Sequence, residues 1–317
     1  MTSAPGSKTV AIVLSVAASL AWAMYYIFVL AISPGTRPSA IMAYPFLIGG
    51  AAYFVWSCTE HHARAFWSMW RDPQAWVRTA LLVVMQLSVL AATYLTGPVD
   101  ASLLSLIGDV VATPLVVAFI LGAYREQIRT AWFAVGLTLS LAGGTMAIVG
   151  GRSLSAVPAA GWLVVPTVPI TVAFYFLLCA RANVRTPASV VVGQSMLASG
   201  LVLVLLAPAI PGGWAGLVAV GPASSWALLA ALGLTSFFLA PVIYFIAIAR
   251  AGLVIPPMLM TGIPVFTLLL SATVLHLGLP LIAALGIPVA VAGGLLTLRG
   301  EASHPSTVPA PSVPPTL

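Results

Sequence analysis

TAWFAVGLTLSLAGGTMAIVG, residues 130–150, and PLIAALGIPVAVAGGLLTLRG, residues 280–300, carry glycines at matching places: Gly136, Gly143 and Gly144 in the first, Gly286, Gly293 and Gly294 in the second. The offset is 150 residues and it holds without a gap further along the chain. Pro114 meets Pro264, and Tyr25, Gly50 and Tyr94 meet Tyr175, Gly200 and Tyr244. A fixed internal period marks a duplicated structural unit. Each copy holds five long apolar segments. An odd number of crossings sends the second copy into a membrane from the opposite side, so the expected arrangement is an inverted repeat, the usual build of a secondary transporter.

Composition excludes a soluble chain: 61% of residues are hydrophobic and 6% charged, against roughly 25% charged in globular domains. Ten segments lie at 10–32, 39–58, 79–97, 99–122, 130–150, 160–180, 188–208, 224–249, 253–275 and 279–298. Each can supply about 20 apolar residues, enough to cross a hydrocarbon core of roughly 30 Å as a helix. Barrel strands would alternate polar with apolar residues, and these segments do not. The first lacks a small-residue cleavage site and matches the sixth, so it reads as a retained helix. The expected fold class is an all-α membrane protein, ten transmembrane helices in two inverted five-helix repeats around a central cavity. The repeats cover 1–150 and 151–301.

The net charge of +6 does not signal nucleic acid, because the basic residues sit in short connections and form no single patch. Lys8, Arg64, Arg71, Arg78, Arg125, Arg129, Arg181, Arg185, Arg250 and Arg299 fall on one side of the expected topology, and only Arg37 and Arg152 on the other. Ten against two places both termini of this multi-pass chain in the cytoplasm. Cys58 and Cys179 fall near cytoplasmic span ends, where thiols stay reduced. No disulfide, metal or cofactor is expected.

Two connections stand out. In 60–78, Arg64, Arg71 and Arg78 recur every seven residues beside Phe66, Trp67, Trp70 and Trp76, which suits either a helix on the cytoplasmic lipid surface or an aromatic belt with positive-inside arginines. Residues 209–223 form a Gly/Pro/Trp loop, a lid or, as the favoured reading, a passive connector. The tail 302–317, rich in Pro, Ser and Thr, is too polar to pack and is expected to be disordered.

Energy sources and chemistries are narrowed by what is missing. A Walker A loop needs a Gly-Lys pair, and the only lysine, Lys8, follows Ser7. Asp100 and Asp109 are nine residues apart on one helix and face nearly opposite ways, so they form no catalytic dyad. The histidines are scattered: His61 and His62 in a loop, His276 near a span end, His304 in the tail. An enzyme is therefore not expected.

The stretch 94–150 and its partner 244–300 resemble the paired signature of the drug/metabolite transporter superfamily, of the bacterial ten-helix metabolite or amino-acid exporter type. The first copy reads Thr113-Pro114-Leu115, Gly122-Ala123-Tyr124-Arg125-Glu126, Gly136 and Gly143-Gly144; the second reads Ile263-Pro264-Val265, Gly286 and Gly293-Gly294. The resemblance implies two inverted five-helix bundles around a cavity, alternating access, and export across the inner membrane. The chain departs from the family at His276, where the second copy often has Glu.

Asp109 stands apart inside the spans. A carboxylate at the membrane centre costs roughly 2.5–3.5 kcal/mol on insertion scales, and its repeat partner is Leu259, so the duplicated fold does not demand it. Ser102, Ser105, Asp109 and Thr113 share one helix face, a polar stripe suited to a wet cavity. The functional reading is substrate or proton binding; the structural one is a hydrogen bond locking two helices. Asp100, at the start of the same helix, reads as a cap. By the same test of face and depth, Ser15, Ser19, Trp22 and Tyr26, then Gln86 with Thr93, then Thr167, Thr171 and Phe174, are cavity candidates. Tyr94 and Tyr244 are expected as gates at opposite ends. Pro166, Pro169, Pro241, Pro256, Pro257 and Pro264 crowd the second bundle, where bends are expected.

The expected function is secondary transport of a small organic metabolite. One buried acid and no buried Arg or Lys disfavour multiply anionic cargo, leaving an amine-bearing metabolite, an amino acid or a lipophilic cation, with protons as coupling partners at Asp109. An uncoupled uniporter or a lipid flippase is the alternative. Membrane lipids are the other expected partners, and a monomer and a homodimer are both compatible with the sequence.

Overall fold

The computed structural model describes residues 5–32, 34–96, 101–102, 129–149, 159–183, 185–251, 259–260, 262–276, 278 and 281–303. The described residues are helical and contain no strand. In lipid that outcome is enforced, since a helix satisfies its own backbone hydrogen bonds and an open sheet edge cannot. The helices are α1 (Pro5–Ile32), α2 (Pro38–Thr59), α3 (Ala63–Ser68), α4 (Pro73–Thr96), α5 (Ala131–Val149), α6 (Ala159–Asn183), α7 (Ala188–Leu205), α8 (Gly213–Val218), α9 (Ala223–Leu232), α10 (Ala240–Ala251), α11 (Ile263–Thr273) and α12 (Leu281–Ser303). Five stretches, Thr9–Ile32, Pro38–Thr59, Pro73–Leu95, Ala188–Leu205 and Ala223–Ala247, are long and apolar enough to cross a membrane. Shorter apolar runs occupy α5, α6, α11 and α12. Outward faces stay apolar, with Val55, Leu205 and Leu281 each more than three-fifths exposed, as expected where lipid takes the place of water. The expected span 99–122 lies outside the described residues except at 101–102, and so does the tail beyond Ser303.

Helix α4 begins earlier than the sequence expectation of 79. Asp72 Oδ1 accepts the Gln74 backbone N–H at 2.9 Å, and Pro73 occupies the first helical position, where its missing N–H is no loss. The start at Pro73 moves Arg78 out of the 60–78 connection and into the second turn of α4. The rest of that connection is short helix α3 and one 3-10 turn, Met69–Arg71. Its aromatics pack as a chain: Phe54 on Trp67 with ring centroids 5.4 Å apart, Trp67 on Trp70 at 5.9 Å and Trp70 on Trp76 at 5.7 Å.

The helices pair reciprocally at the 150-residue offset. A Cβ placed on Gly50 would come within 2.5 Å of the Leu197 backbone, and one on Gly200 would strike Leu47. Farther along, Gly193 lies against Tyr53. As α2 advances from 47 to 53, its partners on α7 retreat from 200 to 193, so these equivalent helices run antiparallel. The quoted stretches behave alike. Gly143 presses on Ala290 and Gly286, and Gly293 presses on Ser140 and Gly136, while Ser140 Oγ donates to the Ala290 carbonyl at 3.2 Å. Small residues let the backbones of α5 and α12 touch, which is how helices associate where lipid removes the hydrophobic drive. The remaining large contacts also exchange under the offset: α1 packs on α10, and α4 on α6.

The symmetry is broken between α9 and α10, where Gly233–Leu239 forms a π-helical turn. Pro241 explains it: proline has no N–H and its ring crowds the carbonyl four residues back, so the chain widens by one residue. Tyr53 donates its hydroxyl to the Phe238 carbonyl at 3.3 Å, and Ser236 Oγ donates to the Ala21 carbonyl at 2.8 Å. The equivalent part of α4 has Ala91 in place of the proline and is regular. Segment 209–223 is folded against the turn between α1 and α2. Tyr44 donates to the Leu217 carbonyl at 2.6 Å and the Ser39 N–H to the Pro211 carbonyl at 3.3 Å. Gly212, at φ 104°, allows that close approach to Arg37 and Ser39.

Candidate functional site: an aromatic cavity between the repeats

A cavity of about 130 Å³ opens where α1, α4, α6, α7, the π turn, α10 and α11 converge. Its wall obeys the 150-residue offset at three positions: Trp22 with Val172, Tyr25 with Tyr175, and Gln86 with Ser236. Rings dominate one side. Trp22 meets Tyr244 edge-on with centroids 5.3 Å apart, Tyr25 meets Tyr26 at 5.2 Å, and Tyr25 meets Phe237 at 5.9 Å. These edge-to-face arrangements hold aromatic walls rigidly. An engineered apolar cavity of roughly 150 Å³ binds benzene, so this one accommodates a single ring-sized group.

Four residues singled out by sequence, Trp22, Tyr26, Gln86 and Tyr244, meet in this wall. Gln86 Oε1 is buried and has no hydrogen-bond partner among the described residues, leaving an acceptor with its desolvation cost of about 1–3 kcal/mol uncompensated. Thr171 is set beside the wall residue Val172, and its hydroxyl bonds its own helix at the Thr167 carbonyl, 2.7 Å away. Thr93 does the same with Val89. Ser19 Oγ lies 2.9 Å from the Ser15 carbonyl and 2.8 Å from the Leu259 carbonyl, stitching α1 to the position equivalent to Asp109. Tyr94 is 42% exposed and lies within electrostatic range of Tyr25. Ser102 is fully buried. Ser105, Asp109 and Thr113 lie outside the described residues.

Residues missed in the sequence complete the site. Tyr25 and Tyr175 were legible as a repeat pair but not as wall. Cys179, placed at a span end by its number, is buried and lines the cavity beside Tyr175.

Arg78 corrects the expectation that no basic residue is buried: its side chain is wholly inaccessible. Counting it as a loop cation placed it before the helix, whereas the Asp72-Pro73 start puts it inside. Nη2 lies 3.5 Å from Asp72 Oδ2, and none of Nε, Nη1 and Nη2 has a hydrogen-bond partner among the described residues. Burying an ion costs several kcal/mol unless pairing and hydrogen bonds offset it, so the single long contact is a thin compensation. Arg78 also lies within electrostatic range of Tyr175 and Cys179. A second pocket, lined by Asp72, Gln74, Arg181 and Arg185, lies next to it.

No family model matches the chain, and no curated protein matches it. A solved structure described as "Crystal structure of protein" has a similar fold, with a TM-score of 0.66 over 94% of this chain and 99% of that one at 20% identity. At that identity the likeness speaks for the fold alone.

Proposed function

We propose that the chain is a secondary transporter, related to the drug/metabolite transporter superfamily, that moves a small organic metabolite through the aromatic cavity by alternating access. The observation carrying the proposal is the antiparallel, reciprocal packing of α2 on α7 and of α5 on α12, with a cavity whose lining repeats at the same offset. Two units related this way present one site to opposite sides by rocking against each other. On this reading ten spans form two inverted five-helix repeats in the inner membrane, with both termini cytoplasmic, and export is the working direction. The π turn before Pro241 is a natural hinge in the second unit.

Asp109 is the proposed coupling group, taking up and releasing a proton as the solute crosses. In proteoliposomes, a panel of amino acids, polyamines and cationic drugs is expected to yield at least one solute with saturable flux that a counter-substrate stimulates. Asp109→Asn is expected to remain inserted and to lose the response to an imposed pH step, whereas Asp100→Asn changes it little. Non-saturable flux would favour a channel. Wild-type pH-driven flux in Asp109→Asn would reduce Asp109 to a structural hydrogen bond.

A further inference from the structure

Arg78 is the one described arginine with no solvent access; it lies behind the linings of both pockets, one turn of α4 before the cavity residue Leu82 and beside Asp72 of the second pocket. Along α4 it shares a helical face with Leu82, Met85, Gln86 and Val89, which line the aromatic cavity, the spacings being those of residues stacked one above another on a helix. Tyr175 and Cys179, within electrostatic range of it, are cavity walls. On the other side Asp72 belongs to the pocket that also holds Arg181 and Arg185. A guanidinium offers five N–H donors in a fork that matches a carboxylate. Among the described residues the only acidic contact is one 3.5 Å approach to a carboxylate whose other oxygen already caps α4. The donor capacity is almost entirely unspent among those described residues, one helical turn from a ring-sized apolar space.

We infer that Arg78 is an anion-recognition residue and that the cavity takes an organic monocarboxylate with a ring-sized apolar body, its carboxylate on the guanidinium and its ring among Trp22, Tyr25 and Tyr244. This deepens the transport proposal and rests on it for the direction and consequence of binding, though not for binding itself. A multiply charged anion is disfavoured by the apolar wall and by Arg78 being the single buried cation among the described residues. The arginines of the second pocket draw anions toward Arg78, and Asp72 holds the guanidinium in place while the site is empty.

The test uses the purified full-length protein in detergent, with 3-phenylpropanoate, its cationic isostere 3-phenylpropylamine, and inorganic phosphate as probes. Bound ligand is read as thermal stabilisation that saturates with concentration. Wild type is expected to be stabilised by the acid and not by the amine or phosphate. Arg78→Gln weakens the acid at least tenfold, Arg78→Lys retains part of the affinity, and Asp72→Asn, which frees the guanidinium from its competitor, tightens it. A preference for the amine, or acid binding in Arg78→Gln equal to wild type, overturns the inference. If Arg78→Gln does not fold, Asp72→Asn decides: tighter acid binding supports the site, and unchanged or weaker binding overturns it. Flux measurements separate the two proposals. Acid binding without flux in proteoliposomes defeats transport and leaves the site standing, while amine flux without acid binding defeats the site and leaves transport standing.

Discussion

Gln86 and Arg78 lie on one face of α4; the Arg78 side chain and the Gln86 Oε1 atom are buried, and both are short of partners among the described residues. A buried acceptor left without a donor is a stability defect that a purely structural residue would not keep. Gln86→Leu is therefore expected to raise the unfolding midpoint in detergent, by about 1 kcal/mol of stability, while lowering solute flux. A variant both less stable and fully active would make Gln86 a packing residue. The face of Gln86 was legible from spacing, because helical periodicity sorts residues without knowing their neighbours. Arg78 was not. Its burial depends on where α4 starts, set by Asp72 and Pro73, and on α6 bringing Tyr175 and Cys179 across it. Thr171 lies next to the wall residue Val172, with its hydroxyl bonded to the Thr167 carbonyl.

Helix pairs carry the clearest sequence signal. The Gly136/Gly143 and Gly286/Gly293 pattern announced a close contact but not its partner, and the structure pairs the two copies with each other. Gly143→Val and Gly293→Val are expected to destabilise by similar amounts, about 1–3 kcal/mol as for overpacked cores. Gly278→Ala, with nothing within 4 Å of its Cβ, should be neutral. Thermal unfolding in detergent compares the three; unequal effects of the two valines would break the reciprocity. Prolines in the second unit foretold irregularity, and the π turn realises it at Pro241. Restoring the N–H in Pro241→Ala is expected to tighten the turn, raising protection of amides 236–241 from hydrogen exchange and slowing turnover. Unchanged protection would show that packing, including the Ser236 bond to Ala21, holds the turn open.

For the whole molecule, the apolar helices and the 150-residue period were legible because lipid permits few architectures and duplication preserves glycine spacing. The cavity's chemistry was less so, since its walls come from seven separate elements whose meeting depends on tertiary packing. The central claim is that the two units cross the membrane in opposite senses. It is tested directly at His61 and Pro211, equivalent positions beyond α2 and α7. Single cysteines are introduced there, as His61→Cys and Pro211→Cys, with Cys58 and Cys179 replaced, and intact cells and inverted membrane vesicles are treated with a membrane-impermeant thiol reagent. The account predicts that position 211 is labelled only in intact cells and position 61 only in inverted vesicles. Labelling of both from the same side would contradict it.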